Sequence, residues 1–320
     1  MPPAPTKPTS QSPTWPLYLG CPVWACDGWA DQIYPPGTAR KDWLAWYTRT
    51  FNTVEGNSTF YALPSVETAQ RWAEQSASGF RFCFKVPRSI SHELELRNST
   101  DATRTFLRCL EPLAKANRLG PIFLQLGPQF GPDRHEILAT FLRQLSRDFQ
   151  WAVEVRHFDW YDNVSSMAPT ESTKKGHNEA RLNDLLAGLG MDKVLFDSRP
   201  LYQSPPDDEI ERVSQSRKPR TPVRQTVTGK RPFLRLVGRN RLDLVNRYLD
   251  QWAPIVAGWI RDGLSPFVFA HAPDDSRAPE MARRFAARLE LEKAAHGQSL
   301  AGSIPVKRPP IHARQLSLLD

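Results

Sequence analysis

Ala152-Val-Glu-Val-Arg-His157 alternates apolar with ionisable residues and ends in groups that can do chemistry. Successive side chains of a β-strand point to opposite faces, so Val153 and Val155 on one face send Glu154 and Arg156 to the other. A short strand that buries two valines and carries a carboxylate and a guanidinium near its end fits a (β/α)₈ barrel. There the interior is filled with side chains, and catalytic groups stand where strands give way to loops at the C-terminal face.

The same kind of ending recurs on both sides of this run, in Thr53-Val-Glu-Gly-Asn57, Phe82-Cys-Phe-Lys85, Ile122-Phe-Leu-Gln125, Val194-Leu-Phe-Asp197, Phe233-Leu-Arg235 and Phe267-Val-Phe-Ala-His271. Amphipathic segments lie between the runs: Arg40 to Thr50, Ser65 to Glu74, Thr100 to Ala116, Asp133 to Arg147, Glu179 to Leu189, Asp243 to Arg261 and Pro279 to Ala295. Pro64-Ser-Val-Glu and Ala278-Pro-Glu have the form of helix starts, with proline in a first turn and acids near the positive end of the dipole. With Leu17-Tyr-Leu-Gly20 as the first strand, strand and helix alternate about eight times, which predicts a closed TIM barrel rather than an open sheet. Right-handed crossovers then bring every strand's C-terminus to one face.

A chain of 320 residues is long enough to bury one large α/β core. The organisation expected is a flexible Pro/Ser/Thr-rich tail over residues 1–16, a barrel over 17–296 and a second flexible tail over 297–320. No apolar run approaches the length needed to span a bilayer, and the N-terminus lacks the blocks of a signal peptide, so a cytoplasmic protein is expected. The 4 cysteines agree: Cys21 and Cys26 are too widely spaced for a zinc knuckle, and Cys83 and Cys109 fall in apolar segments as packing thiols. Lys and Arg number 42 against 34 acids, a net charge of +8 that favours anionic partners. Part of the excess sits in Arg217-Lys-Pro-Arg220 through Lys230-Arg231 and in Lys307-Arg308. Two stretches break the rhythm, Asn163 to Asn178 and Arg199 to Arg231. The second follows Asp197-Ser-Arg199 on the face where lids belong and is read as a lid, with a mobile excursion as the alternative.

Alternation within each run gathers Glu55, Asn57, Lys85, Gln125, Glu154, Arg156, Asp197, Arg235 and His271 at one barrel rim. Charges stranded in an apolar interior are costly, so these groups are paired with one another, wet, or bound to a ligand. One reading is a self-neutralising salt-bridge layer. The other is a site, in which Arg156, Arg235 and Lys85 clamp a phosphate or carboxylate while Glu55, Glu154, Asp197 and His271 supply acid, base or ligands for a hard divalent cation. No cofactor is expected, and a metal-free site is preferred. Asn57, Gln125, His157, Tyr61 and Trp24 complete the substrate-binding candidates. His157 in Arg-His-Phe-Asp-Trp is alternatively a loop hydrogen-bonder, and His92 is a further loop histidine. Trp24, Trp29, Tyr34, Phe60 and Tyr61 either pack the loops or form a stacking wall. There is no phosphate-cradling Gly-rich loop and no nucleophile elbow, which argues against an NTPase or a serine-triad hydrolase.

Asn57-Ser-Thr-Phe-Tyr61, between Val54-Glu55 and Ala62-Leu63-Pro64, closely resembles the domain-of-unknown-function 72 family, the YecE-like proteins. Further matching segments are Phe80-Arg-Phe-Cys-Phe-Lys85 with Ile90-Ser-His92, Leu124-Gln-Leu126, Val153-Glu-Val-Arg-His157, Asp197-Ser-Arg-Pro200, and Pro266-Phe-Val-Phe with His271-Ala-Pro-Asp274. The resemblance implies a TIM barrel and no particular reaction. Many relatives carry a histidine where Val237 stands, so a proton-transfer role at that position would not apply here.

Gln315-Leu-Ser-Leu-Leu319 resembles the short peptide with which bacterial replication and repair proteins bind the DNA sliding clamp, with Leu319 in place of the usual aromatic. An apolar tail that docks on its own barrel is the alternative. The expectation from sequence is a single-domain barrel that binds or converts a phosphorylated or carboxylated small molecule. The alternatives are a nucleic-acid-associated accessory protein recruited through Gln315, Leu316, Leu318 and Leu319, or a metal-dependent phosphodiesterase or isomerase.

Overall fold

β1 (Tyr18–Cys21) is flanked on one side by β2 (Thr53–Gly56) and on the other by β8 (Phe267–His271). β3 (Arg81–Phe84) follows β2; from β8 the ladder continues through β7 (Phe233–Val237), β6 (Asp192–Asp197) and β5 (Trp151–Glu154) to β4 (Ile122–Gln125). Every pairing is parallel. The seam between β3 and β4 is closed by a short set of backbone bonds: Phe82 N–H to the Arg118 carbonyl (2.8 Å), Gly120 N–H to the Phe82 carbonyl (2.8 Å) and Val86 N–H to the Phe123 carbonyl (3.0 Å). The (β/α)₈ barrel expected from the repeat is the observed fold.

This computed structural model describes residues 17–162 and 177–295. The tails expected over 1–16 and 297–320, the peptide 315–319 and most of the 163–178 stretch lie outside the described residues. No described helix is long and apolar enough to cross a membrane.

The outer layer holds α1 (Trp43–Thr50), α2 (Val66–Gln75), α3 (Thr100–Lys115), α4 (His135–Gln144), α5 (Asn178–Gly188), α8 (Asn246–Arg261) and α9 (Ala278–Ala295), with α6 (Arg199–Tyr202) and α7 (Glu209–Arg217) between β6 and β7. Helix α2 begins where Pro64-Ser-Val-Glu predicts, Ser65 capping it by accepting the Thr68 N–H at 3.2 Å. Helix α1 is fastened to the sheet by Tyr47, whose hydroxyl accepts the Cys21 N–H (2.8 Å) and donates to the Thr53 carbonyl (3.0 Å). Glycine is required beside it, since a Cβ on Gly20 would come within 2.0 Å of that carbonyl oxygen.

Two tiers fill the barrel. Tyr18, Cys83, Phe123, Ala152, Val194, Phe233, Phe267 and Phe269 form an apolar plug, with Tyr18 and Phe267 stacked at 4.2 Å. Beyond it toward the C-terminal ends of the strands come Glu55, Lys85, Gln125, Glu154, Arg235 and His271, all buried. The plug denies water to this polar tier from below, so its charges must find partners among themselves or from above.

The 199–231 stretch is anchored rather than loose. Glu211 on α7 and Arg239 after β7 form a fully buried ion pair, and the Asn240 N–H donates to the Glu211 carboxylate at 2.9 Å. Asp208 caps α7 by accepting the Glu211 N–H at 2.7 Å, and the Ser198 hydroxyl donates to the Pro219 carbonyl at 2.7 Å. These contacts hold α7 across the barrel mouth as a fixed wall.

Candidate functional site

The centre of the polar tier is Arg235. Its Nε and Nη2 donate to the two oxygens of Glu55, both at 2.8 Å, and its Nη1 donates to Glu154. Arg156 donates from Nε to Glu154 (2.7 Å) and from Nη2 to Gln125 (2.7 Å). The Asn57 amide donates to Glu55 at 2.9 Å. Burial alone would raise both carboxyls, but the guanidiniums override it: Glu55 is held well below the usual range by Arg235 and His271, and Glu154 is lowered to about 2 by Arg235 and Arg156. Both stay ionised across the physiological range, with their charges already matched by two guanidiniums.

His271 stands 3.0 Å from Glu55 through Nε2. Burial brings its pKa down to about 4 despite the pull of Glu55, so the ring is neutral at pH 7. An ionised Glu55 can only accept, which places the His271 proton on Nε2 and leaves Nδ1 as an acceptor.

Lys85 lies just beyond the end of β3, where its N–H donates to the Gly56 carbonyl (3.2 Å) and its carbonyl accepts the Thr59 hydroxyl (2.6 Å). Its Nζ sits 3.7 Å from the centre of the Phe60 ring and forms no ion pair among the described residues. Burial lowers its pKa to about 7, with Arg235 and Arg156 pushing the same way. His92, packed edge-on against Phe60 at 5.1 Å, is lowered to about 4 by burial and then by Lys85.

Above these groups opens a cavity of about 650 Å³. Asn57, Lys85, Gln125, Arg156, Arg235 and His271, which alternation gathers at one rim, line it together with the loop residue Tyr61. Its far wall is α7 with Lys218, and Asp275 from the loop after β8 completes the rim. Burial lowers Lys218 to about 8, aided by Arg235; burial raises Asp275 to about 6, partly offset by Lys218.

Three candidates are placed elsewhere. Asp197 belongs to the opposite face of β6: Val194 and Phe196 take the inward positions of that longer strand, and Asp197 turns to the helix layer, where it pairs with Arg199 (2.7 Å) and accepts the Trp252 indole N–H of α8 (2.8 Å). His157 caps a turn by accepting the Asp159 N–H (3.2 Å) and does not line the cavity. Trp24 packs edge-on against Trp72 (5.1 Å) and Phe82 (6.0 Å) behind the wall, while Trp29 and Tyr34 are buried in the core. Asp197 is turned away and both glutamates are occupied by Arg235, and the described residues contain no cluster of three His, Cys, Asp or Glu side chains suited to a divalent cation.

Lys218, Arg217, Glu209 and Asp275 were not among the candidates, because they lie on helix α7 or in connecting segments, where strand alternation gives no direction. The basic stretch Arg217-Lys-Pro-Arg220 was the available signal.

The family model described as "Protein of unknown function DUF72" matches residues 18–305. UPF0759 protein YecE of Escherichia coli strain K12 is 36% identical over 265 residues, covering 83% of this chain and 89% of that protein. UPF0759 protein YunF of Bacillus subtilis strain 168 is 26% identical over 152 residues, covering 45% and 52%. In fold, the chain is similar to crystal structures of DUF72 family proteins from Enterococcus faecalis V583 (TM-score 0.62, 18% identity, 86% of this chain and 98% of that one) and Thermotoga maritima MSB8 (TM-score 0.61, 21% identity, 86% and 99%).

Proposed function

The chain belongs to the DUF72 family, and from that premise we propose that its barrel mouth binds an anionic small molecule, phosphorylated or carboxylated, on Lys85, Arg156 and Lys218. One observation carries this. Glu55 and Glu154 already match the charges of Arg235 and Arg156, so Lys85, Lys218 and Arg217 are the remaining cations that line the cavity, opposed at the rim by Glu209 and Asp275. Arg235 is the fixed floor of the site, held by two carboxylates, and reaches the ligand as an oriented dipole and charge. Arg156 keeps its Nη1 without a hydrogen bond among the described residues, as a donor for a ligand oxygen. Asn57 and Gln125 add polar contacts, and Tyr61, 79% exposed on the rim, offers an aromatic face.

Glu55 and Glu154, first considered as acid and base, are assigned to positioning, because carboxylates held so far below neutrality are weak bases and cannot donate protons at pH 7. Proton exchange falls to Lys85, Asp275 and the free Nδ1 of His271. The test is thermal stabilisation of the purified chain by inorganic phosphate, phosphorylated sugars and dicarboxylates. A stabilising ligand is expected to lose affinity about tenfold in Lys85→Met or Lys218→Met. Undiminished binding by both variants overturns the assignment.

A second proposal concerns recruitment, carried by Gln315-Leu-Ser-Leu-Leu319. The full chain is expected to bind purified bacterial sliding clamp and to lose binding on Gln315→Ala with Leu318→Ala. No binding by the intact chain removes it.

A further inference from the structure

We propose that Lys85 is an amine nucleophile that forms an imine with an anionic carbonyl compound, an oxo-acid or a phosphorylated aldehyde or ketone, held in the barrel mouth. This deepens the anion-site reading and rests on it.

The surroundings of Lys85 are unlike those of a cation kept for charge alone. A binding lysine is usually steadied by a carboxylate; Lys85 has an aromatic face at 3.7 Å instead and no ion pair among the described residues. The two nearby carboxylates, Glu55 and Glu154, are engaged by Arg235 and Arg156. Around the amine lie the Phe60 ring, His92 and the guanidiniums of Arg235 and Arg156, with the charges of the two carboxylates already paired, a setting that leaves a lysine partly neutral and nucleophilic near pH 7. Its attachment at the C-terminal end of a barrel strand fixes the stem, and its side chain lines the cavity. Lys218, the other lysine there, hangs from a loop beyond α7 and is brought down only to about 8.

The chemistry closes without an oxidant or reductant. The Lys85 lone pair forms the C–N bond as the carbonyl π pair moves to oxygen, and one amine proton passes to that oxygen to give a neutral carbinolamine. The nitrogen lone pair then forms the C=N bond as the C–O bond breaks. The departing hydroxyl takes a proton from the Asp275 carboxyl and leaves as water. One proton is consumed for each iminium formed, and the iminium charge is offset by the anionic group of the substrate. Asp275 suits this donor role because it lines the same cavity and burial raises its carboxyl to about 6.

The experiment treats the full chain separately with pyridoxal 5′-phosphate and with glyoxylate in the presence of sodium cyanoborohydride, and maps adducts by peptide mass spectrometry. Lys85 is expected to be modified ahead of the exposed Lys41 and Lys115, with inorganic phosphate slowing the reaction. Lys85→Arg should abolish the fast adduct with an unchanged circular dichroism spectrum. Asp275→Asn, which retains the amine, should slow adduct formation about tenfold or more. Modification of Lys218 or surface lysines alone, or of Lys85 no faster than Lys41, overturns the proposal. If phosphate binds while Lys85 stays unmodified, the imine fails and the anion site stands. If Lys85 is labelled and phosphate neither binds nor competes, the anion reading fails instead.

Discussion

Arg235 grips Glu55 across the barrel through two parallel contacts, Nε to Oε2 and Nη2 to Oε1, each 2.8 Å long. Its third nitrogen reaches Glu154, so one guanidinium bridges carboxylates from two separate strands. Arg235→Met leaves both carboxylates buried without their main partner, and a loss of about 3–5 kcal/mol in urea unfolding is expected. Combining it with Glu55→Gln and Glu154→Gln should recover most of that loss. A triple variant no more stable than Arg235→Met would show that the pairing is not what the tier depends on.

Sulfate, whose own charge is constant near neutrality, should bind more weakly as pH rises. Lys85, faced by Arg235, Arg156, Glu154, Glu55 and His92, loses its proton near 7, and Lys218, faced by the same guanidiniums and glutamates, near 8. Asp275 becomes anionic above about 6, with the same sign. His271 and His92, both near 4, are silent in this window. Affinity measured by calorimetry should fall about tenfold or more between about pH 6 and about pH 9, and less steeply in Lys85→Met. A flat profile would contradict the assignment of these lysines.

Loss of the Arg239–Glu211 pair should release α7 while leaving the barrel standing. Arg239→Met is expected to raise amide exchange over residues 203–218 and to weaken anion binding, with the exchange of β1 to β8 unchanged. Global unfolding of the variant at room temperature would show that the pair supports the whole fold.

Asp192 provides a pH dependence outside the site. Burial raises its carboxyl to about 7, partly offset by the Arg231 N–H that it accepts at 2.8 Å. Between about pH 4 and about pH 7 the folded chain keeps a proton that the unfolded chain has released, so this group's contribution declines as pH rises through that window and is level above it. Asp192→Asn preserves the acceptor and removes the charge, and should raise the melting temperature at pH 8 by about 2–4 °C with no gain at pH 4. An equal gain at both values would refute the titration.

Alternation along short strands was enough to place Glu55, Lys85, Gln125, Glu154, Arg156, Arg235 and His271 inside one rim, because each shares a face with an inward residue below it, Thr53 for Glu55 and plug residues for the others. It misplaced Asp197, since β6 is six residues long and its inward positions are Val194 and Phe196. Trp24 and His157 stand in loops, where neighbouring sequence says nothing of direction. Which charges neutralise which was also illegible: nothing local tells Glu55 that its partner lies 180 positions away. That pairing decides the chemistry, for it converts two expected proton carriers into supports and leaves a lysine as the reactive candidate.

The short set of hydrogen bonds between β3 and β4 makes the barrel a strip whose two ends are clasped together. Lys85 is part of the clasp: its residue bridges to Phe123, and the next residue, Val86, donates to the same carbonyl region. The amine therefore rides on the fastening of the barrel, and any breathing of that clasp moves the reactive nitrogen relative to Arg235 on the opposite strand β7.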